Sequence, residues 1–216
     1  MRQQRRPRSA KIKLLFFIAG VAGLYGSYYL GHQYAPTKPR FLNLSELAQP
    51  QAMKNLVLQD QYGNPFTEQQ LAGHWNFVMF GQTESAESAL DGLTLITQVK
   101  NRLALHPDIQ QQTRAVFITV NPETDKPEVL EAFMARFSPD YLALTGLTEN
   151  IQSVARSLGV TIRRSSTPDA KGYRIDHSSS ILLIDPDARL IGLFTGVVDA
   201  ASIAADIQQL ALDEAE

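Results

Sequence analysis

The chain has 216 residues, of which 44% are hydrophobic, and its 20 basic and 22 acidic side chains give a net charge of −2. This length and apolar content fit one globular domain with an appended segment and exclude a disordered or collagen-like chain. The sequence contains no cysteine, which excludes disulfides, thiol redox centres, thiolate nucleophiles and metal sites built on cysteine ligands.

Positive charge is concentrated at the N-terminus. Residues 1–40 hold eight of the 20 basic residues and no acidic residue, so the rest of the chain carries 12 basic residues against 22 acidic ones. Phosphate binding requires a basic face. The acidic balance of the remaining chain therefore predicts no nucleic-acid partner.

An apolar run follows the basic segment. Residues 14–31 carry no charge over 18 positions, and a helix that crosses a bilayer core of about 30 Å needs about 17–25 apolar residues. We predict a basic cytoplasmic tail over 1–13 and a single transmembrane anchor over 14–31, for which the bilayer is the partner. A cleaved signal peptide is the alternative, although the sequence around Ala35 matches a cleavage site poorly.

The charge before the anchor predicts its orientation. Six basic residues precede Leu14, and the positive-inside rule places such a flank in the cytoplasm. The predicted location is therefore the cell inner membrane, with a single span and the C-terminal domain in the periplasm. The mitochondrial intermembrane space is the equivalent compartment.

Polar, proline-containing residues at 32–54 predict a linker, which leaves a domain over 55–216. Residues 77–80 are all apolar, as is typical of a central strand buried on both faces. The alternation of strands and helices predicts an α/β domain with a thioredoxin-like fold. In chain order we predict strands at 56–58 and 74–80, a helix at 86–103, a strand at 115–120, a helix from Pro127, a strand at 141–144, a helix at 147–158, an irregular hairpin at 160–178, strands at 181–184 and 190–194, and a helix at 200–210.

The reactive position of a thioredoxin-like sheet is the loop after the first core strand, where the next helix begins. Here that loop offers hydroxyls and carboxylates but no thiol. Ser85 is interpreted as a helix N-cap, because a nucleophilic serine needs an adjacent base and an oxyanion site, and no G-x-S-x-G elbow is present. We therefore predict that the chain is not an enzyme.

Several segments together carry a resemblance to a known family. They are Gly73-His74-Trp75, Phe80-Gly81-Gln82-Thr83, the segment 117–127, Leu144-Thr145-Gly146 and the segment 173–178 around His177. From about Leu56 to its C-terminus the chain resembles the Sco/SenC family. These are membrane-anchored, thioredoxin-fold proteins that help to assemble the copper A centre of cytochrome c oxidase.

The chain departs from that family at the copper ligands. The family carries a Cys-x-x-x-Cys motif in the loop before the helix, and its two thiolates bind copper together with one histidine. The resemblance places the first cysteine on Ser85 and the second on Ala89, and it retains the histidine as His177. Because Cu(I) selects soft thiolate or thioether ligands, we expect no cofactor or only weakly bound copper, with His177 as the remaining metal ligand.

The resemblance implies a role in cytochrome c oxidase assembly through partner binding, with an oxidase subunit or another assembly factor as the partner. One alternative is a copper carrier that uses His177 with methionine or carboxylate ligands. Another is a thioredoxin-fold interaction module with a different client. A serine hydrolase using Ser85 and His177 is disfavoured because the side chains of Asp176 and His177 would point apart in an extended chain.

Overall fold

A computed structural model of the protein describes residues 10–33, 41–84, 87–164, 175–177 and 180–213. The chain divides into two compact units, Met1–Arg40 and Phe41–Glu216. In the first unit, helix α1 (Ala10–Gln33) contains an 18-residue segment, Ile12–Tyr29, that is long and apolar enough to cross a membrane. This helix is the candidate single span that the sequence predicts over 14–31.

The second unit contains a mixed β-sheet with helices on both faces. Its strands are β1 (Ser45–Ala52), β2 (Leu58–Asp60), β3 (Pro65–Phe66), β4 (Trp75–Gly81), β5 (Thr113–Thr119), β6 (Leu142–Thr145), β7 (Ile162–Arg164), β8 (Ile175–His177), β9 (Ile181–Ile184) and β10 (Arg189–Phe194). Its helices are α2 (Glu87–Arg102), α3 (Pro107–Gln112), α4 (Pro127–Met134), α5 (Thr148–Ser157) and α6 (Ala200–Asp213). Short 3-10 helices cover Glu68–Leu71 and Leu103–Leu105.

Within the described residues the main sheet has the order β1-β10-β9-β4-β5-β6-β2-β3, and β7 pairs separately with β8. Strand β4 lies at its centre, parallel to β5 and antiparallel to β9. Every residue of β4 is buried, which confirms the prediction of a strand covered on both faces. The arrangement is the α/β, thioredoxin-like fold that the sequence predicts.

Side chains of β4 alternate between two apolar cores, as the two-residue period of a strand requires. Phe77 and Met79 belong to the core that α2, α4 and α6 cover. Val78 and Phe80 belong to the core on the opposite face, which α5 covers. Helix α2 therefore packs on the sheet directly after the strand whose end carries the candidate site.

The predicted linker over 32–54 extends too far into the folded domain. Strand β1 lies inside that range and pairs antiparallel with β10. A Cβ atom on Gly192 of β10 would come within 2.7 Å of the Ser45 carbonyl oxygen, so the strands approach closely only because this residue is glycine. Strand β1 is polar and contains Pro50, which an edge strand tolerates. Its sequence therefore resembles that of a linker.

Asp206 of α6 holds the chain just ahead of β1. Its carboxylate is buried and accepts hydrogen bonds from the backbone N–H groups of Leu42, Asn43 and Leu44, at 2.7, 2.9 and 3.0 Å. Phe41 is also buried in the core. The folded domain therefore begins at Phe41 rather than at the predicted residue 55.

Candidate functional site

The candidate site lies where β4 ends and α2 begins. Strand β4 pairs with β5 up to the register Gly81–Thr119. A Cβ atom on Gly81 would lie 2.7 Å from the ring of Phe117, so only glycine allows the strand to leave the sheet at this point without moving that ring. Residues Gln82 to Glu84 then lead toward α2.

A buried carboxylate anchors this loop. Asp125, in the segment between β5 and α4, has no exposed surface. It accepts hydrogen bonds from the hydroxyl of Thr83 at 2.5 Å, from the backbone N–H of Thr83 at 3.1 Å, and from the hydroxyl of Thr119 at 2.6 Å. Hydrogen bonds to an ionised acceptor are shorter and stronger than neutral ones. Asp125 therefore links the loop after β4 to the end of β5.

The same network extends into the next loop. The hydroxyl of Thr119 donates to Asp125 and accepts a hydrogen bond from the backbone N–H of Asn121 at 3.0 Å. Thr83 and Asp125 both lie in segments that carry the family resemblance, but the sequence did not predict that they contact each other. The pattern of a threonine after a buried strand and an aspartate after the next one is the signal that was available.

Gln82, which precedes Thr83, is also buried. Its Oε1 is a buried side-chain atom for which the described part of the chain provides no hydrogen-bond partner. Most buried polar atoms in folded proteins are paired. The loop is therefore held by Asp125 and not by this amide oxygen.

Ala89, onto which the second family cysteine falls, is in the first turns of α2 and is buried. Its methyl group faces the end of β4, since a Cβ atom on Gly81 would lie 3.3 Å from the Cβ atom of Ala89. This position therefore points toward the sheet and the loop. The residue there has no atom that could bind a metal.

The other two predicted site residues are described less fully. Ser85 lies outside the described residues, as does the prediction that it caps α2. The backbone of His177 pairs with Ile162 in the β7–β8 hairpin, but the structure describes only the backbone of this residue. Whether the three positions converge therefore remains a prediction. Among the residues whose side chains are described, no three His, Asp or Glu groups are placed to hold a metal ion.

A cavity of about 300 Å³ lies beside Ala89. The end of β4, the first turns of α2, the start of β9 and the loop between β10 and α6 form its walls. Its lining includes Met79, Leu95, Phe194 and Val198, which makes it largely apolar. The candidate site therefore has an anchored loop on one side and an apolar cavity on the other.

Comparisons with known proteins agree with this fold. Residues 45–212 match the profile of the family described as SCO1/SenC. The mouse protein "Protein SCO2 homolog, mitochondrial" is 33% identical over 138 residues, which are 64% of this chain and 52% of the mouse protein. An SCO2-like protein of Rickettsia prowazekii is 30% identical over 198 residues, which are 89% of this chain and 92% of that protein. The chain thus spans about half the length of the mouse relative and most of the bacterial one.

Solved structures give the same result. Yeast Sco1 with copper bound aligns with a TM-score of 0.67 at 26% identity, covering 76% of this chain and 90% of that one. ScoI of Bradyrhizobium japonicum with copper bound aligns with a TM-score of 0.63 at 27% identity, covering 73% and 98%. The sheet and its helices define a thioredoxin-like protein of the kind that these structures represent. The chain belongs to the SCO1/SenC family.

The residues of this chain do not fit the copper ion that the two solved structures contain. The chain has no cysteine, and Ala89, onto which the resemblance places the second family ligand, has only a methyl side chain. A serine hydroxyl is a hard ligand, and one imidazole alone does not hold Cu(I) tightly. No step of the proposed function therefore passes through a metal held by this chain alone.

Proposed function

We propose that this chain is a membrane-anchored Sco-family protein that assists assembly of the copper A centre of cytochrome c oxidase by binding a partner, not by carrying copper. The partner is an oxidase subunit or another assembly factor. One observation supports this proposal most strongly: the buried network of Asp125, Thr83 and Thr119 holds the loop after β4 in place although the chain has no thiol to present there. A loop that is held in a fixed position but carries no thiolate ligands for copper can serve as a surface that another protein recognises.

The membrane anchor in this proposal is α1. Its apolar segment has the length and composition of a span, and the basic residues before it favour a domain outside the cytoplasm by the positive-inside rule. The proposal therefore locates the domain in the periplasm or an equivalent compartment. The same proposal includes that the chain is not an enzyme, because a nucleophilic serine at Ser85 would need an adjacent general base to activate it.

A copper carrier that uses His177 with a non-cysteine ligand is the second candidate, and one observation favours it. The thioether of Met79 lines the cavity beside Ala89, and thioethers are ligands that Cu(I) accepts. This candidate predicts that Met79→Leu weakens Cu(I) binding by the wild-type chain. If the chain acts only by binding a partner, the wild type does not bind Cu(I) tightly, and Met79→Leu leaves Cu(I) binding unchanged.

The proposal is tested in cells that encode the chain, by deleting its gene and restoring the full-length protein with an affinity tag. Deletion should lower the copper A signal of oxidase in isolated membranes, and the wild type should restore it. The tagged chain should also purify with an oxidase subunit or an assembly factor.

A matched pair of threonine variants makes this test specific to the loop. Thr83→Val removes the hydroxyl that donates to Asp125 at 2.5 Å, whereas the backbone N–H of residue 83 can keep its own hydrogen bond to that carboxylate at 3.1 Å. Thr97→Val removes a hydroxyl inside α2 that donates to the Leu93 carbonyl. Partner association should fall for Thr83→Val and persist for Thr97→Val. An unchanged copper A signal after deletion, with no oxidase component bound to the tagged chain, would refute the proposal.

A further inference from the structure

The cavity beside Ala89 has the size and lining of a site for an apolar side chain. Its volume of about 300 Å³ is at the lower end of the range of about 300–1,000 Å³ that ligand pockets occupy. Helix α2 contributes Ala89 and Gly92, whose lack of long side chains keeps this wall open. Met79 lies against Gly92, because a Cβ atom there would come within 3.1 Å of the Met79 sulfur.

Val197 stands at the edge of this cavity and is fully exposed, with a relative exposure of 104%. It follows Gly196, whose φ of +74° turns the loop between β10 and α6. A single exposed apolar residue needs no explanation. An exposed valine that continues the wall of an apolar cavity is different, because one entering side chain would cover both surfaces at once.

Three acidic residues of the described part of the chain lie on or next to the lining of this cavity. Asp91 is the one charged residue among the described residues that line it. Glu87 lies one turn earlier on the same face of α2 and is exposed. Asp199 follows the lining residue Val198 and caps α6 by accepting hydrogen bonds from Ser202 and Ala201. A lysine or arginine next to the entering side chain would therefore be attracted, and an acidic residue repelled.

The lining also distinguishes between kinds of occupant. Small-molecule sites combine an apolar wall with several polar groups that converge to orient the ligand. Among the described lining residues, the polar side chains are those of Asp91 and Ser180. A segment of another protein needs only the apolar contact and the charge match, and its backbone can remain outside.

We propose that this cavity, with Val197 at its edge, is a docking site for a partner protein segment that presents a large apolar side chain flanked by a lysine or arginine. The proposal rests on the proposed function for one premise, that a partner binds beside the loop after β4. The chemistry of the partner segment is inferred from the cavity alone. Docking here would place the partner against Ala89 and the first turns of α2.

The test uses the full chain in nanodiscs of phosphatidylcholine and three fluorescent peptides. The first peptide is Gly-Ser-Lys-Leu-Phe-Lys-Ser-Gly, the second replaces both lysines with glutamate, and the third replaces Leu-Phe with Ser-Ser. Fluorescence anisotropy should show that the first peptide binds at least about tenfold more tightly than either of the others. Added salt should weaken this binding, because part of it is between charges.

Variants locate the binding. Val197→Ser and Asp91→Lys should each weaken binding of the first peptide by about tenfold, and Asp91→Lys should improve binding of the glutamate peptide. Leu105→Ser is the matched control, since Leu105 is 89% exposed just beyond the opposite end of α2. Val197 and Asp91 are both exposed, so these changes leave the core intact, and circular dichroism checks that they do.

Equal binding of the three peptides, or binding that is indifferent to Val197 and Asp91, would overturn the docking site. The outcome is separable from that of the proposed function. If the oxidase component still purifies with a chain that binds no peptide, the docking site alone is wrong. If the first peptide binds as described and no oxidase component is found, the docking site stands and the proposed client is wrong.

Discussion

Removal of the Asp125 carboxylate should release the loop that carries the candidate site. Asp125→Ala deletes the acceptor for the hydroxyls of Thr83 and Thr119 at 2.5 and 2.6 Å, for the backbone N–H of Thr83 at 3.1 Å, and for a longer hydrogen bond from the Thr124 hydroxyl at 3.4 Å. The hydroxyls of Thr83 and Thr119 can rotate toward other acceptors, but the N–H of Thr83 cannot. The alanine variant therefore leaves a partly buried donor unpaired and a cavity in the place of the carboxylate.

The magnitude follows from these contacts. A hydrogen bond to a charged group contributes about 1.5–3 kcal/mol, and an ionised carboxylate loses part of this gain to its own desolvation. We expect Asp125→Ala to lower the free energy of unfolding by about 3–5 kcal/mol. Asp125→Asn should cost about 1–2 kcal/mol, because its amide oxygen can still accept from the N–H of Thr83 while the amide nitrogen donates to a rotated hydroxyl.

Urea unfolding followed by circular dichroism measures these differences. Glu131→Ala is the control, since Glu131 is exposed on α4 and such surface changes stay within about 0.5 kcal/mol. Thr83→Val combined with Asp125→Ala should cost less than the sum of the two single changes, because the two residues share hydrogen bonds. A loss below about 1 kcal/mol for Asp125→Ala, or strict additivity with Thr83→Val, would refute the role assigned to this network.

Three further predictions concern other parts of the chain. Asp206→Ala should lower the free energy of unfolding by about 2–4 kcal/mol and speed proteolysis ahead of β1, because residues 42–44 lose their acceptor; an unchanged cleavage rate would contradict this. Burial raises the pKa of Asp140, but hydrogen bonds from Lys100 and Ser138 outweigh it and hold the pKa below its usual value. The stability that Asp140 contributes is therefore present above its unfolded pKa of about 3.9 and lost as the pH falls through the lower folded value. The free energy of unfolding should therefore fall less between pH 6 and pH 3 in Asp140→Asn than in the wild type. An equal fall in both proteins would contradict this role of Asp140. A reporter active only in the periplasm should work when fused after Glu216, whereas activity of a cytoplasm-only reporter would overturn the topology.

The central strands and the helices that cover them were predictable because each carries a strong local pattern. Residues 77–80 are continuously apolar, as β4 requires, and α2 and α6 show a helical apolar stripe. Strand β1 was missed because its polar sequence with Pro50 shows no alternation, and its place depends on distant β10. Helix α3 was missed because its six residues are too few to show a period.

The candidate site was predictable only in part. The resemblance located the loop after β4 and the position of Ala89, and the structure places both beside the start of α2. The contact between Thr83 and Asp125 joins residues 42 positions apart, so it depends on tertiary packing that no local pattern records. The cavity edged by Val197 also depends on packing, since residues from four separate segments form its wall.

A Cu(I) competition assay on the full chain tests the central claim most directly. A Cu(I) chelator is titrated with the wild type, with Ser85→Cys combined with Ala89→Cys, and with that double variant carrying His177→Ala. We expect the wild type to remove no Cu(I) from the chelator, because it has no thiolate ligand. We also expect the double variant to gain one-to-one binding that His177→Ala weakens. Tight one-to-one binding by the wild type would contradict the claim that this chain acts without carrying copper.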